Sequence, residues 1–279
     1  MTLLCRDLLP LGPRELCLIS RDTPDGVRNW RPMPYPIAHP AAAIALHRLL
    51  GRFSVPSALA LGTVVPDLWY LLPWLEREDS HTPVGLLVFC LPAGLAAYLV
   101  FHAVKVPLLE LLPRRLAERL RFYAADGLPK AAWTAICASL LAGAATHLVW
   151  DALTYSEAYG RIVRHGSTLL GGAFVAWWVA AKLRAARRIR VPAQLSDGAR
   201  HAVLLGIGAL AAVTAAVTAS AEFAAAPLDY DTIRGVARTA GIDAVAVAAW
   251  STIAYALLWR IARSGFRQRW QLSGRLRRR

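Results

Sequence analysis

Seven histidines stand in the 279-residue chain, at His39, His47, His81, His102, His147, His165 and His201, and they keep different company. His147 and Asp151 are four apart in THLVWD, which sets an imidazole and a carboxylate on one face of a helix. His39 opens HPAAAIAL, Asp67 closes LGTVVPD, His81 stands just before an apolar run that begins at Pro83, and His165 just before another that begins at Gly166. Imidazole and carboxylate together suit Zn and related divalent ions, and a ligand set with one open position makes a bound water reactive. A single His or Asp at the end of a membrane helix is more often an ordinary interfacial residue. The metal reading therefore depends on whether these groups meet.

The elements that carry them are apolar. The composition is 56% apolar and 18% charged with a mean hydropathy of +0.40, where a soluble domain is usually about 45–50% apolar. Crossing roughly 30 Å of hydrocarbon takes about 20 helical residues. Five runs serve: Pro83–Val104, Ala131–Trp150, Gly166–Ala181, Ala202–Ala221 and Ala244–Trp259. A sixth, Val55–Leu75, is interrupted by Asp67. The expected fold is an all-α, multi-pass transmembrane bundle of five or six spans with a short amino-terminal helix paired with the Asp67 helix.

The formal net charge of +14 by itself suggests nucleic acid, but its distribution does not. Lys105–Lys130 holds six Lys/Arg, Lys182–Arg200 six and Arg260–Arg279 eight, whereas Glu76–Thr82 holds one and Ala152–His165 and Glu222–Asp243 two each. Rich and poor loops alternate, so the basic loops and the carboxyl end are expected in the cytoplasm and the poor loops outside. No nucleic-acid partner is expected. Residues 1–32, with five Arg and no signal-peptide core, read as a disordered leader or an over-extended gene start with translation from Met33. Residues 33–264 read as one membrane domain and 265–279 as a basic tail able to meet anionic lipid.

Helix pairing then brings the chemistry together. In a hairpin turning near Phe53, His39 and Asp67 lie 14 residues to either side and meet at one end. His81 opens a span that descends to the basic loop, and the next span returns to finish in His147 and Asp151, beside the start at His165. His39, Asp67, His81, His147, Asp151 and His165 are thus expected at the outer face, with His47, His102 and His201 near the other. Ionisable groups in or beside spans are functional candidates by default. Glu76, Glu78, Asp79 and Glu157 are lesser candidates for a general base, more simply explained as solvated loop residues. Trp69, Tyr70, Trp74, Tyr155 and Tyr159 fit either a lipid-like substrate groove or an aromatic belt. Loop Pro227–Arg238 carries mixed charge and no motif. Cys5, Cys17, Cys90 and Cys137 have no metal spacing, and no P-loop, GxGxxG or GxSxG occurs.

At these residues the chain resembles a bacterial membrane-protein family known as domain of unknown function four-one-eight-four. The resemblance runs from about Met33 to the carboxyl-terminal tail and rests on PYPIAHPAAAIAL, LGTVVPDLWYLL, SHTPVGLLVFCLPAGLAAYLVFH, ATHLVWDALT and VRHGSTLLGG. The same arrangement is more distantly similar to membrane-bound metal-dependent hydrolases and to the zinc-dependent phospholipase C fold. The resemblance implies ligand or near-ligand roles for His39, Asp67, His81, His147 and Asp151, with His165 in a matching His-Gly-Ser motif, in the bacterial cytoplasmic membrane. It also implies hydrolysis of a phosphoester or lipid-linked substrate by metal-activated water, with one or two divalent ions, Zn foremost. One departure stands out: Thr154-Tyr155 replaces the Thr-His of the family, which points to an altered or inactive member or to His165 as substitute. A non-enzymatic scaffold or transporter with a structural polar or metal cluster is the competing expectation. The oligomeric state is not legible.

Overall fold

The computed structural model describes residues 38–72, 77–124, 127–154, 160–190, 192–225 and 228–276. Among them every regular element is helical. The leader, Trp74, Glu76, Tyr155, Glu157 and Tyr159 lie outside the described residues.

Helix α1 (Pro40–Leu50) places Pro40 in its first turn, where a missing N–H leaves no bond unmade. It stops at Gly51, whose φ of 50° is open to glycine without steric cost. After a 3-10 turn, α2 (Pro56–Gly62) begins on another proline. The run Val55–Leu75 is not one continuous helix: the chain breaks after Gly62 and resumes as a 3-10 segment, Val65–Leu71. Pro66 supplies the reason, because it has no N–H to give and its ring crowds the preceding turn. The Asp67 N–H turns to the Val64 carbonyl at 3.0 Å instead of the Thr63 carbonyl that an α-helix would use. Thr63 C=O is thereby released for another donor.

The later elements are α3 (Arg77–Ser80), α4 (Pro83–Leu109), α5 (Arg114–Leu120), α6 (Trp133–Thr154), α7 (Gly160–Ala185), α8 (Asp197–Ala225) and α9 (Tyr230–Leu276). Thr82 caps α4 by accepting the Gly85 N–H at 2.9 Å, with Pro83 next in the first turn. Four helices are long and apolar enough to cross a membrane: α4, α6 through Leu153, α8, and α9 from Tyr230 to Arg263. The sequence run Gly166–Ala181 lies within α7, which is long but is not one of these four; its Gly171-Gly172 and Trp177-Trp178 pairs dilute the hydropathy. The expected loop Pro227–Arg238 is largely helix, because α9 starts at Tyr230, and α9 also runs past the expected boundary at residue 264.

Close backbone approach organises the bundle. Helices α2 and α6 cross where Gly62 faces Gly143. A Cβ on Gly62 would lie 2.3 Å from the Leu140 carbonyl oxygen and one on Gly143 would lie 2.4 Å from that of Leu59. Small residues permit such contact between membrane helices, where dispersion and hydrogen bonds replace the hydrophobic effect as the driving force. Val55, Ala58, Tyr98, Ile136 and Leu140 fill the space beside the crossing, and Val65, Cys90 and Ala144 form a second packed cluster nearer Asp67. The Val55 N–H donates to Ser139 Oγ at 2.9 Å, tying the start of α2 to α6. Helix α8 packs on α9 and buries none of its own residues. Helix α9 in turn docks on α4 and on the 3-10 segment, with Trp250 Nε1 donating to the Leu71 carbonyl at 3.3 Å.

Candidate metal centre

Five of the six predicted ligands converge. His39 stands at the start of α1, Asp67 on the 3-10 segment, His81 just before α4, and His147 and Asp151 one turn apart near the end of α6. Their ligand atoms form two overlapping groups, His39–His147–Asp151 and Asp67–His81–His147, each within 4.8 Å. His81 Nε2 lies 3.8 Å from Asp67 Oδ1 and 3.4 Å from Asp151 Oδ2, and His147 Nε2 lies 3.6 Å and 3.7 Å from the same two oxygens. The His39 ring stacks on that of His147 with centroids 4.0 Å apart, and the His81 ring meets it edge-on at 5.3 Å. His165 is not brought in. It sits exposed on α7 and belongs to neither group, so it does not stand in for a lost ligand here.

Two of the three imidazoles engage their other nitrogen with protein groups. His147 Nδ1 donates to the Thr63 carbonyl at 2.8 Å, the group released by the 3-10 break, which fixes the proton on Nδ1 and leaves a lone pair on Nε2. His81 Nδ1 lies 2.8 Å from Ser80 Oγ and 3.2 Å from the Arg77 carbonyl, while Ser80 Oγ itself donates to the Pro66 carbonyl at 2.8 Å. Nε2 of His39, His81 and His147 is buried in each case without a hydrogen-bond partner. An unmet buried nitrogen ordinarily costs about 1–3 kcal/mol, and the two groups these histidines form with Asp67 and Asp151 could hold a metal ion.

Arg77 completes the arrangement. Its Nη2 is 3.1 Å from Asp151 Oδ2, and 25% of its side chain remains exposed. Burial pushes the Asp67 carboxyl up to about 7, reinforced by the charge of Asp151 and opposed by Arg77. Burial likewise holds the His39 imidazole below its ordinary value, with Asp151 pulling the other way. Tyr70 sits one helical step away from Asp67's neighbours, stacked on Trp69 at 4.0 Å and hydrogen-bonded to Arg238 of α9, so the carboxyl-terminal hairpin buttresses the segment that carries Asp67. Asp79, a candidate base, is exposed and outside both groups.

Thr63, Ser80 and Arg77 went unnoticed in the sequence. Ser80 adjoins His81 and was open to notice as a partner. Thr63 acts through a backbone carbonyl, whose only advance signal is Pro66 three residues on. Arg77 reads in the sequence as the one Lys/Arg of a poor loop.

These features define an all-helical integral membrane protein with a buried His/Asp cluster at one end of its spans. Residues 33–160 match the model of a family described as a domain of unknown function, DUF4184. Every converging residue falls inside the match, whereas His165 and helices α8 and α9 lie beyond it. No curated protein and no solved structure is significantly similar to the chain.

Proposed function

We propose that the chain is a membrane-embedded, metal-dependent hydrolase whose site holds one or two divalent ions, Zn foremost, and acts on a phosphoester or lipid-linked substrate. One observation carries this reading: three histidines, each with a buried Nε2 that has no hydrogen-bond partner, gather with two carboxylates. Three His and two Asp match the donor preferences of Zn. A bound divalent ion supplies a nucleophilic water at neutral pH, while Thr63, Ser80 and the Arg77 carbonyl hold the imidazoles in the ligating tautomer.

The charge pattern supports a cytoplasmic carboxyl end and a site at the outer face of a bacterial inner membrane. Five crossings then follow, the four apolar helices plus α7, with α1 and α2 as a hairpin that dips in from the outer side. Re-entrant backbone of this kind is tolerated where protein buries it, as α6 does for α2.

Elemental analysis of the detergent-purified protein tests the proposal. Stoichiometric Zn or a related metal, lost in His147→Ala and Asp151→Ala, is expected. Protein without stoichiometric metal would leave a polar cluster that merely ties helices together.

A further inference from the structure

Arg77 has a geometry that metal binding alone does not require. It lies on the rim of the cluster with one guanidinium nitrogen on Asp151 Oδ2 and a quarter of its side chain in contact with the surroundings, whereas His39, Asp67, His147 and Asp151 are all buried. A carboxylate has about four lone-pair sites, so Asp151 can accept from Arg77 and still offer electrons to a cation. Charge decides what such a site attracts. Two carboxylates and one divalent ion cancel, and Arg77 leaves the filled site with a net positive charge. The planar guanidinium is built for oxyanions, which it engages through paired N–H donors.

Depth narrows the class further. His81 lies just before the start of α4, and Asp151 two residues before the end of the apolar stretch of α6 at Leu153. The ends of spans lie at the level of the lipid head groups, where the abundant oxyanion is phosphate. We infer that Arg77 is a substrate-binding residue whose guanidinium, on the rim of the site that would hold the metal, receives a phosphate-type oxyanion. This rests on the metal reading above and goes beyond it by assigning the recognition group and the chemistry it selects.

The test uses the full chain in detergent, loaded with Co(II), whose visible absorption reports on coordination. Inorganic phosphate is titrated in one arm; in the other, the protein is placed in phosphatidylcholine nanodiscs with and without phosphatidic acid. The expected result is a spectral change with phosphate or with phosphatidic acid. Arg77→Gln should weaken the response by about tenfold or more, and Arg77→Lys less, as expected for loss of a charge-assisted hydrogen bond. Co(II) stoichiometry should be unchanged in both variants. A response to free phosphate alone identifies a soluble oxyanion, and a response to phosphatidic acid alone a lipid head group; either supports the assignment. No response in either arm overturns it, as does a response that Arg77→Gln leaves intact. Loss of Co(II) from Arg77→Gln also overturns it, because Arg77 would then act by holding Asp151. Wild-type protein that binds no Co(II) removes the metal reading itself, so the two failures are distinguishable.

Discussion

Histidines occur at both ends of the bundle, and the two ends treat them differently. At the end that carries His39, His81 and His147, each ring keeps a buried Nε2 without a hydrogen-bond partner, and the three residues gather with Asp67 and Asp151 in two overlapping groups. At the other end, His102 uses both nitrogens: Nε2 lies 3.3 Å from Ser57 Oγ and Nδ1 lies 2.8 Å from Lys105 Nζ. His47 Nδ1 is likewise taken by Ser54 Oγ at 2.8 Å. A lysine ammonium has only donors to give, so Nδ1 of His102 accepts and its Nε2–H points at Ser57. That tautomer cannot take a proton from the serine, and the Ser57–His102 pair is therefore a structural tie and not a nucleophile with its base. The lesson is that burial and residue type do not mark a ligand. What sets the two ends apart is a buried Nε2 left without a hydrogen-bond partner.

The sharpest way to break this contrast is to exchange the histidines in turn. His147→Ala removes the residue that, among the described residues, the two candidate ligand groups share. Metal affinity should fall beyond about 1,000-fold, more than the 10–100-fold typical of outer-shell losses, as read by competition with a chelator. Gly143→Val should come next. Its side chain has no room against Leu59, so α2 is pushed off α6 and Asp67 is carried away from His147. About 1–3 kcal/mol of stability should go with it, measured by thermal unfolding in detergent, together with most of the bound metal.

Smaller changes sharpen the comparison. Ser80→Ala leaves all five ligands in place but removes the hydroxyl beside His81 Nδ1, so metal affinity should fall about 10-fold, within the range for orienting partners. His102→Gln at the opposite end should leave metal content unchanged while lowering stability by about 1–2 kcal/mol, because Lys105 and Ser57 lose a partner. The smallest effect belongs to His165→Ala, with both metal and stability near wild type, since the ring is exposed and outside the cluster. Metal loss in His165→Ala or His102→Gln would show that the distinction between the two ends is wrong.

The amphipathic turn His147–Asp151, the proline-marked starts of α1 and α4, and the hairpin that returns Asp67 to His39 are all local, and each is legible in the residues. Periodicity and turn chemistry act within a few residues, so all six ligand candidates emerge from pattern alone, and five of them converge in the structure. His165 was grouped with them because it begins an apolar run at the same end. Its rotation about α7 depends on packing, which the run does not encode. The span count met the same limit: Val55–Leu75 is apolar enough to read as one helix, and only Pro66, working against the packed α6, makes it turn.

The sequence by itself determined an apolar helical chain, the alternation of basic loops, and a set of His and Asp residues at one end of their helices, because each of these follows from composition and local spacing. Tertiary structure alone decided that His147 belongs to both His/Asp groups, that the Thr63 carbonyl fixes its tautomer, and that Arg77 reaches Asp151 across 74 positions of chain. Those contacts arise from the two-glycine crossing of α2 and α6 and from the 3-10 segment beside it. A contact between distant backbones is a property of how helices pack, and no single helix carries it.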